Sequence, residues 1–167
     1  MPTQNITNGW EYSFTASNTA SIPVINIPSS INNILIIFTN VSVASGAPFM
    51  LVRLSTNNGS SYISSGYQSG HNYFGYNTSV ANNQNNSTGL QMGFQIGTGP
   101  FSSGTLYLYN LNTSTFVVST GTTFWTAATL FGITGGQLSG TTGVNAFQIV
   151  LDSGNIATGT FKIYGLN

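Results

Sequence analysis

The chain contains no cysteine, and only four of its 167 residues carry a formal charge: Glu11, Arg53, Asp152 and Lys162. Soluble domains are about one-quarter charged, so charge is depleted roughly tenfold. Each shortage removes a class of function. Without cysteine there is neither a disulfide framework nor a thiolate metal site. Two cations far apart in the chain cannot neutralise a run of phosphates, so nucleic acid is excluded as a partner. A formal net charge of zero also leaves no long-range field to steer a polyanion. The single histidine, His71, cannot fill the three or four positions that zinc requires. Calcium would be held almost wholly by carbonyls and amides rather than the carboxylates it prefers. With no phosphate loop or dinucleotide fingerprint either, no cofactor and no metal are expected.

Acid–base chemistry is equally starved. Glu11 and Asp152 are the only carboxylates, so a glycosidase mechanism would have to use this one pair. Asp152 heads the turn Asp152-Ser153-Gly154 and reads as a cap for backbone amides. Glu11, between Trp10 and Tyr12, reads as a surface charge, solvated or paired with Arg53 or Lys162. A Ser-His-Asp arrangement would need His71, and no Gly-x-Ser-x-Gly elbow accompanies it. The sequence therefore predicts a protein that is not an enzyme.

Long apolar runs are missing too. Ile34-Leu35-Ile36-Ile37-Phe38 is far too short to cross a bilayer, so no membrane insertion is expected. The start, Met1-Pro2-Thr3-Gln4-Asn5, lacks the basic and apolar regions of a signal peptide. Synthesis in a host cytoplasm is the expectation, with assembly and lysis as the route outside. Asn-x-Ser/Thr triplets such as Asn40-Val41-Ser42 recur at about the rate that this composition produces by chance, and are read as unmodified.

What is present is material for β-structure. The chain is 40% apolar and 13% aromatic, ample for a packed core and unlike a disordered chain. Helix formers dominate no window. Short β-branched and aromatic runs alternate with Gly, Asn, Ser and Thr at the spacing of a sandwich or closed barrel. The predicted strands are 9–16, 21–27, 34–43, 49–55, 61–66, 73–77, 90–96, 105–111, 115–119, 123–133, 145–151 and 159–164. Asn58-Gly59 predicts a tight hairpin turn between residues 49–55 and 61–66. Residues 79–89 and the Gly/Thr-rich stretch 132–143 read as loops. Length and the lack of repeats predict one antiparallel β-sandwich domain, jelly-roll-like, over residues 1–167.

Two features point to surfaces. Ile34–Phe38 does not alternate, and Leu106-Tyr107-Leu108-Tyr109 places leucines on one face and tyrosines on the other. An antiparallel sheet with one wet face should alternate apolar with polar, so these strands predict a subunit interface. Tyr62, Tyr67, His71, Tyr73, Phe74 and Tyr76 form an aromatic cluster interleaved with Gly and Asn. Such rings suit core-edge and interface positions first. Beside amides they also suit sugars, which makes Tyr67, His71, Tyr73 and Tyr76 the candidate glycan or partner contacts.

Ile27-Pro28, the apolar strand running into Val41-Ser42 and Ser45-Gly46, and the strand from Leu51-Val52 to Ser65-Gly66-Tyr67 resemble, in that order, a family of tailed-bacteriophage virion domains. Thr158-Gly159-Thr160-Phe161-Lys162-Ile163-Tyr164-Gly165 is similar to the way such domains end. The resemblance implies a β-sandwich on a phage particle with no catalytic motif. It also implies self-association, with a homotrimer favoured. A start almost directly at the domain, without a fibre shaft, favours a capsid decoration (cement) protein on the exterior of the head, bound to the major capsid protein. The alternative implied is a tail- or head-fibre domain that binds a host surface glycan.

Overall fold

The computed structural model describes residues 3–5, 9–75, 84–93, 101–112, 115–126 and 130–166. They form β1 (Thr3–Asn5), β2 (Glu11–Thr19), β3 (Ser21–Val24), β4 (Asn33–Val43), β5 (Met50–Ser55), β6 (Tyr67–Gly75) and β7 (Gln84–Asn86). These are followed by β8 (Leu90–Gln91), β9 (Ser102–Tyr109), β10 (Phe116–Trp125), β11 (Leu130–Ser139), β12 (Ala146–Leu151) and β13 (Ile156–Leu166). All pairings are antiparallel. One sheet runs β1-β2-β13-β4-β9-β10-β11-β6-β7, and the other runs β3-β12-β5-β8.

Eight of these strands make a jelly roll. β2-β13-β4-β9 faces β3-β12-β5-β8, so the first and last long strands are neighbours and the chain winds inward from both ends. The other long strands are insertions. β6 and β7 leave the roll between β5 and β8, and β10 and β11 leave it between β9 and β12. The two insertions pair through β11 and β6, from Leu130↔Gly75 to Leu138↔Tyr67, and extend the larger sheet into a wing.

Alternation explains the core. Along β4, Ile34, Ile36 and Phe38 point between the sheets, as do Leu106 and Leu108 of β9 and Phe161 and Ile163 of β13. Leu54, Phe147 and Ile149 close the layer from the smaller sheet in one contiguous apolar cluster. Loops are tied down by amides rather than ions. Among the described residues, all five non-glycine residues with positive φ are asparagines, including Asn26 and Asn58, the residue type that tolerates this region best after glycine. Asn58 Nδ2 donates to Asn26 Oδ1 at 2.8 Å, and Asn26 N–H donates back to Asn58 Oδ1 at 2.7 Å.

Four sequence expectations need correction. The Asn58-Gly59 turn forms, with φ of 54° and 82° and Ser60 N–H donating to the Asn57 carbonyl. No strand follows it over 61–66, however. Asn57 Oδ1 accepts from Ser61 N–H and its Nδ2 donates to Ser61 Oγ. β5 is paired with β12 on one edge and with β8 at Leu51 and Val52 on the other, so the segment keeps only the bond from Ile63 N–H to the Leu54 carbonyl. Secondly, residues 115–119 and 123–133 are not two separate strands. β10 continues through Gly121 to Trp125, and β11 starts at Leu130. Thirdly, much of the Gly/Thr-rich stretch 132–143 is strand β11 rather than loop. Its small residues are needed because a Cβ on Gly136 would lie 2.7 Å from Ser69 Oγ. Of the predicted loop 79–89, residues 84–86 are strand β7, and 79–83 lie outside the described residues.

Candidate binding face

Strand parity puts the described sequence-predicted contacts on one face. Tyr67, His71 and Tyr73 lie on the face of β6 that looks inward, and Tyr76 lies outside the described residues. Tyr67 is 2% exposed. Its hydroxyl accepts from Leu54 N–H at 2.8 Å and donates to the Ile63 carbonyl at 3.1 Å. Burial pushes the phenol up to about 12, against the opposing effects of the Leu54 hydrogen bond and Arg53. This is a structural tyrosine. Tyr67→Phe leaves the Leu54 amide facing an apolar ring, and we expect a loss of about 1–3 kcal/mol in urea denaturation.

His71 is 3% exposed. It packs on Phe49 at 5.9 Å and stacks on Tyr73 at 6.0 Å. Burial pushes its pKa below the ordinary 6.5, and the Gln91 side chain pulls the other way. The unfolded chain therefore takes up a proton near pH 6.5 that the folded chain still refuses. Stability is full above that pH and falls as pH drops from about 6.5 towards the folded value. Denaturation midpoints should decline over this range in the wild type, with a shallower decline in His71→Gln.

The remaining charged groups do not converge. Glu11 pairs in register with Tyr164 near one end of β13, whereas Asp152 precedes Ile156 at the other. The intervening strand is on the order of 25 Å long, well beyond the roughly 5–10 Å between paired glycosidase carboxylates. Asp152 Oδ1 accepts from Phe49 N–H at 3.1 Å, the amide-capping role expected of it. Arg53 Nε donates to the Thr88 carbonyl. Among the described residues no three His, Cys, Asp or Glu are grouped to hold a metal, and no helix is long and apolar enough to cross a membrane.

The unusual surface is the outer face of the wing, where polarity is inverted. On β10 and β11 the inward-pointing side chains between Val117/Leu138 at one end and Trp125/Leu130 at the other are small or polar, and Ser69 of β6 joins them. Thr123 Oγ1 donates to the Met92 carbonyl at 2.7 Å, Thr134 Oγ1 to the Gln91 carbonyl at 2.8 Å, and Ser69 Oγ accepts from Gln91 N–H at 2.7 Å. These bonds satisfy the short edge strand β8 at a spacing too close for large residues. Outward-pointing side chains are the large apolar ones. Phe124↔Phe131↔Phe74 form one row across three strands, each 44–46% exposed. Ile133 follows in the next row, and Phe116 and Val118 lie towards the opposite end of β10. β4 and β9 continue the face with half-buried Leu35, Ile37, Tyr107 and Tyr109.

Between the apolar ends of this face lies a trough of about 550 Å³. Gly70 and Gly135, paired in register, lie side by side along it. Tyr107 and Tyr109 line its β9 side, stacked at 5.9 Å with ring planes 7° apart. Thr105 and Thr122 share a hydroxyl contact of 3.2 Å, with Asn72 and Ile133 farther across. None of the residues lining the trough carries a carboxylate, ammonium or guanidinium group. The β9 part of this face was legible in the sequence as the Leu/Tyr alternation. The trough was not, because its residues come from four strands widely separated in the chain.

No family model and no curated protein matches the chain. Among solved structures it is similar to a peanut lectin with a bound nine-residue peptide, at 8% identity and a TM-score of 0.31, over 100% of this chain and 91% of that one. It is also similar to the binding domain of botulinum neurotoxin serotype G, at 10% identity and a TM-score of 0.24, over 100% of this chain and 42% of that one. Likenesses this slight bear on neither ligand nor partner.

Proposed function

We propose that this chain is a non-catalytic structural protein of a bacteriophage particle, an oligomeric capsid decoration (cement) protein that joins its copies through the outer face of the wing. The observation that carries the reading is the inverted polarity of β10, β11 and β6. A solvent-facing sheet places phenylalanine inside and threonine outside. Here Phe124, Phe131 and Phe74 are outside in one contiguous row, which is the composition of an interface core. An interface without ion pairs also loses little when salt screens charge. The virion setting rests on the order of the phage-like sequence elements, and host-glycan attachment is the alternative reading.

Two measurements test this function. Light scattering of the purified protein is expected to give a mass near three times 17.6 kDa, the homotrimer that the phage-like resemblance implies. Cryo-electron microscopy of intact particles is expected to place many symmetric copies over the capsid. Density confined to a few copies at a fibre tip would replace cementing by attachment.

A further inference from the structure

The trough sets hydroxyl and amide groups beside apolar ring and aliphatic surface, and its Gly135 asks for an explanation. Three other glycines of this sheet are forced by packing. A Cβ would lie 2.8 Å from Phe38 Cζ at Gly104, would strike the Thr105 carbonyl at Gly121, and would lie 2.7 Å from Ser69 Oγ at Gly136. Gly135 is different. A Cβ there would meet nothing closer than the Ser119 carbonyl at 3.7 Å, and the backbone φ lies outside the range that favours glycine. A β-branched residue would serve the strand better. A glycine with room to spare in a strand interior marks a place where something outside the chain approaches the backbone closely.

The lining says what approaches. Tyr107 and Tyr109 hold each other in a fixed stack beside the trough. The hydroxyls of Thr105 and Thr122 and the amide of Asn72 offer donors and acceptors of both kinds, without formal charge. Apolar ring surface beside uncharged hydroxyls and amides matches a neutral hexopyranoside, whose C–H face packs on an aromatic ring while its hydroxyls bond sideways. An anionic ligand finds no cation in the lining, and a purely apolar one strands the polar groups. About 550 Å³ lies within the usual size range of a small-ligand site.

We propose that the Gly70–Gly135 trough binds a neutral hexopyranosyl saccharide, with Tyr107 and Tyr109 as the stacking wall and Thr105, Thr122 and Asn72 as the hydroxyl-reading groups. The assignment does not rest on capsid cementing, but it requires that copies of the chain meet through the phenylalanine row and leave the trough open. It places the stacking wall on β9, across β10 and β11 from β6, whose Gly70, His71 and Asn72 line the opposite side of the trough.

The test is titration calorimetry of the full-length protein with maltohexaose, cellohexaose and chitohexaose, each to about 10 mM, a concentration that detects dissociation constants in the millimolar range. At least one is expected to bind, with an affinity unchanged within about twofold in 1 M NaCl because no ion pair is involved. Gly135→Leu fills the trough and Tyr107→Ala removes its wall, and each should weaken binding by about tenfold or more. Gly135→Ala is the fold control, since its added methyl clashes with nothing. Light scattering on the same samples separates this assignment from self-association. No binding by any of the three sugars overturns it, as does binding that survives Gly135→Leu. If Gly135→Leu instead changes the oligomer mass with no sugar bound, the trough is a contact between copies and the assignment is wrong.

Discussion

Phe124→Thr combined with Phe131→Thr is expected to convert the protein from an oligomer into a folded monomer. The two rings are cross-strand neighbours on β10 and β11, and Phe74 continues their row on β6. Each presents nearly half of its surface to solvent in the single chain, so the fold gains little from that half and an interface would gain much. Aromatic anchors at the centre of an interface typically cost about 2–4 kcal/mol each when truncated. Removing two should raise the dissociation constant by at least about a hundredfold. Threonine keeps the strand propensity of both positions, and an exposed change of this kind shifts fold stability by only about 0.5 kcal/mol. Light scattering across a concentration series reads the first quantity and thermal unfolding the second. A wild-type protein that stays monomeric at high concentration would mean that copies of the chain do not cover the wing.

Phe161→Ala is expected to have the largest effect on stability. Phe161 lies on β13 with no exposed surface, paired across the sheet with Phe14 on β2 and Phe38 on β4. Phe38 in turn pairs with Gly104 of β9, where the Thr122 carbonyl and then the Phe38 ring leave no space for a side chain. The row is thus packed from both sides, and nothing beside Phe161 can collapse into the space it leaves. A buried Phe→Ala change costs about 3–5 kcal/mol, a large share of a total stability of roughly 5–15 kcal/mol. Denaturant midpoints should fall steeply. Phe161→Leu, which keeps most of the volume, should cost far less. Equal losses for the two variants would mean that the row is less tightly packed than the geometry indicates.

The amino-acid sequence by itself determined the all-β class, since β-branched and aromatic runs broken by Gly and Asn leave no helix to form. It also determined the left-handed Asn58-Gly59 turn, a property of two adjacent residues, and the Leu-inward, Tyr-outward division of β9, which follows from the two-residue period of a strand. The scarcity of charged side chains is likewise a matter of composition. Tertiary structure alone decided the rest. Tyr67 and His71 fit a core-edge or interface position first and an exposed glycan contact second, and pairing with β11 sets the parity of β6 and turns both inward. Residues 132–139 look like a loop, because glycine and threonine signal turns locally. They become strand β11 when the close approach of β6 and β8 demands small side chains. The trough is the extreme case. Gly70 and Gly135 become neighbours only because two separate insertions pair with each other, and no local pattern carries information about a contact made between distant parts of the chain.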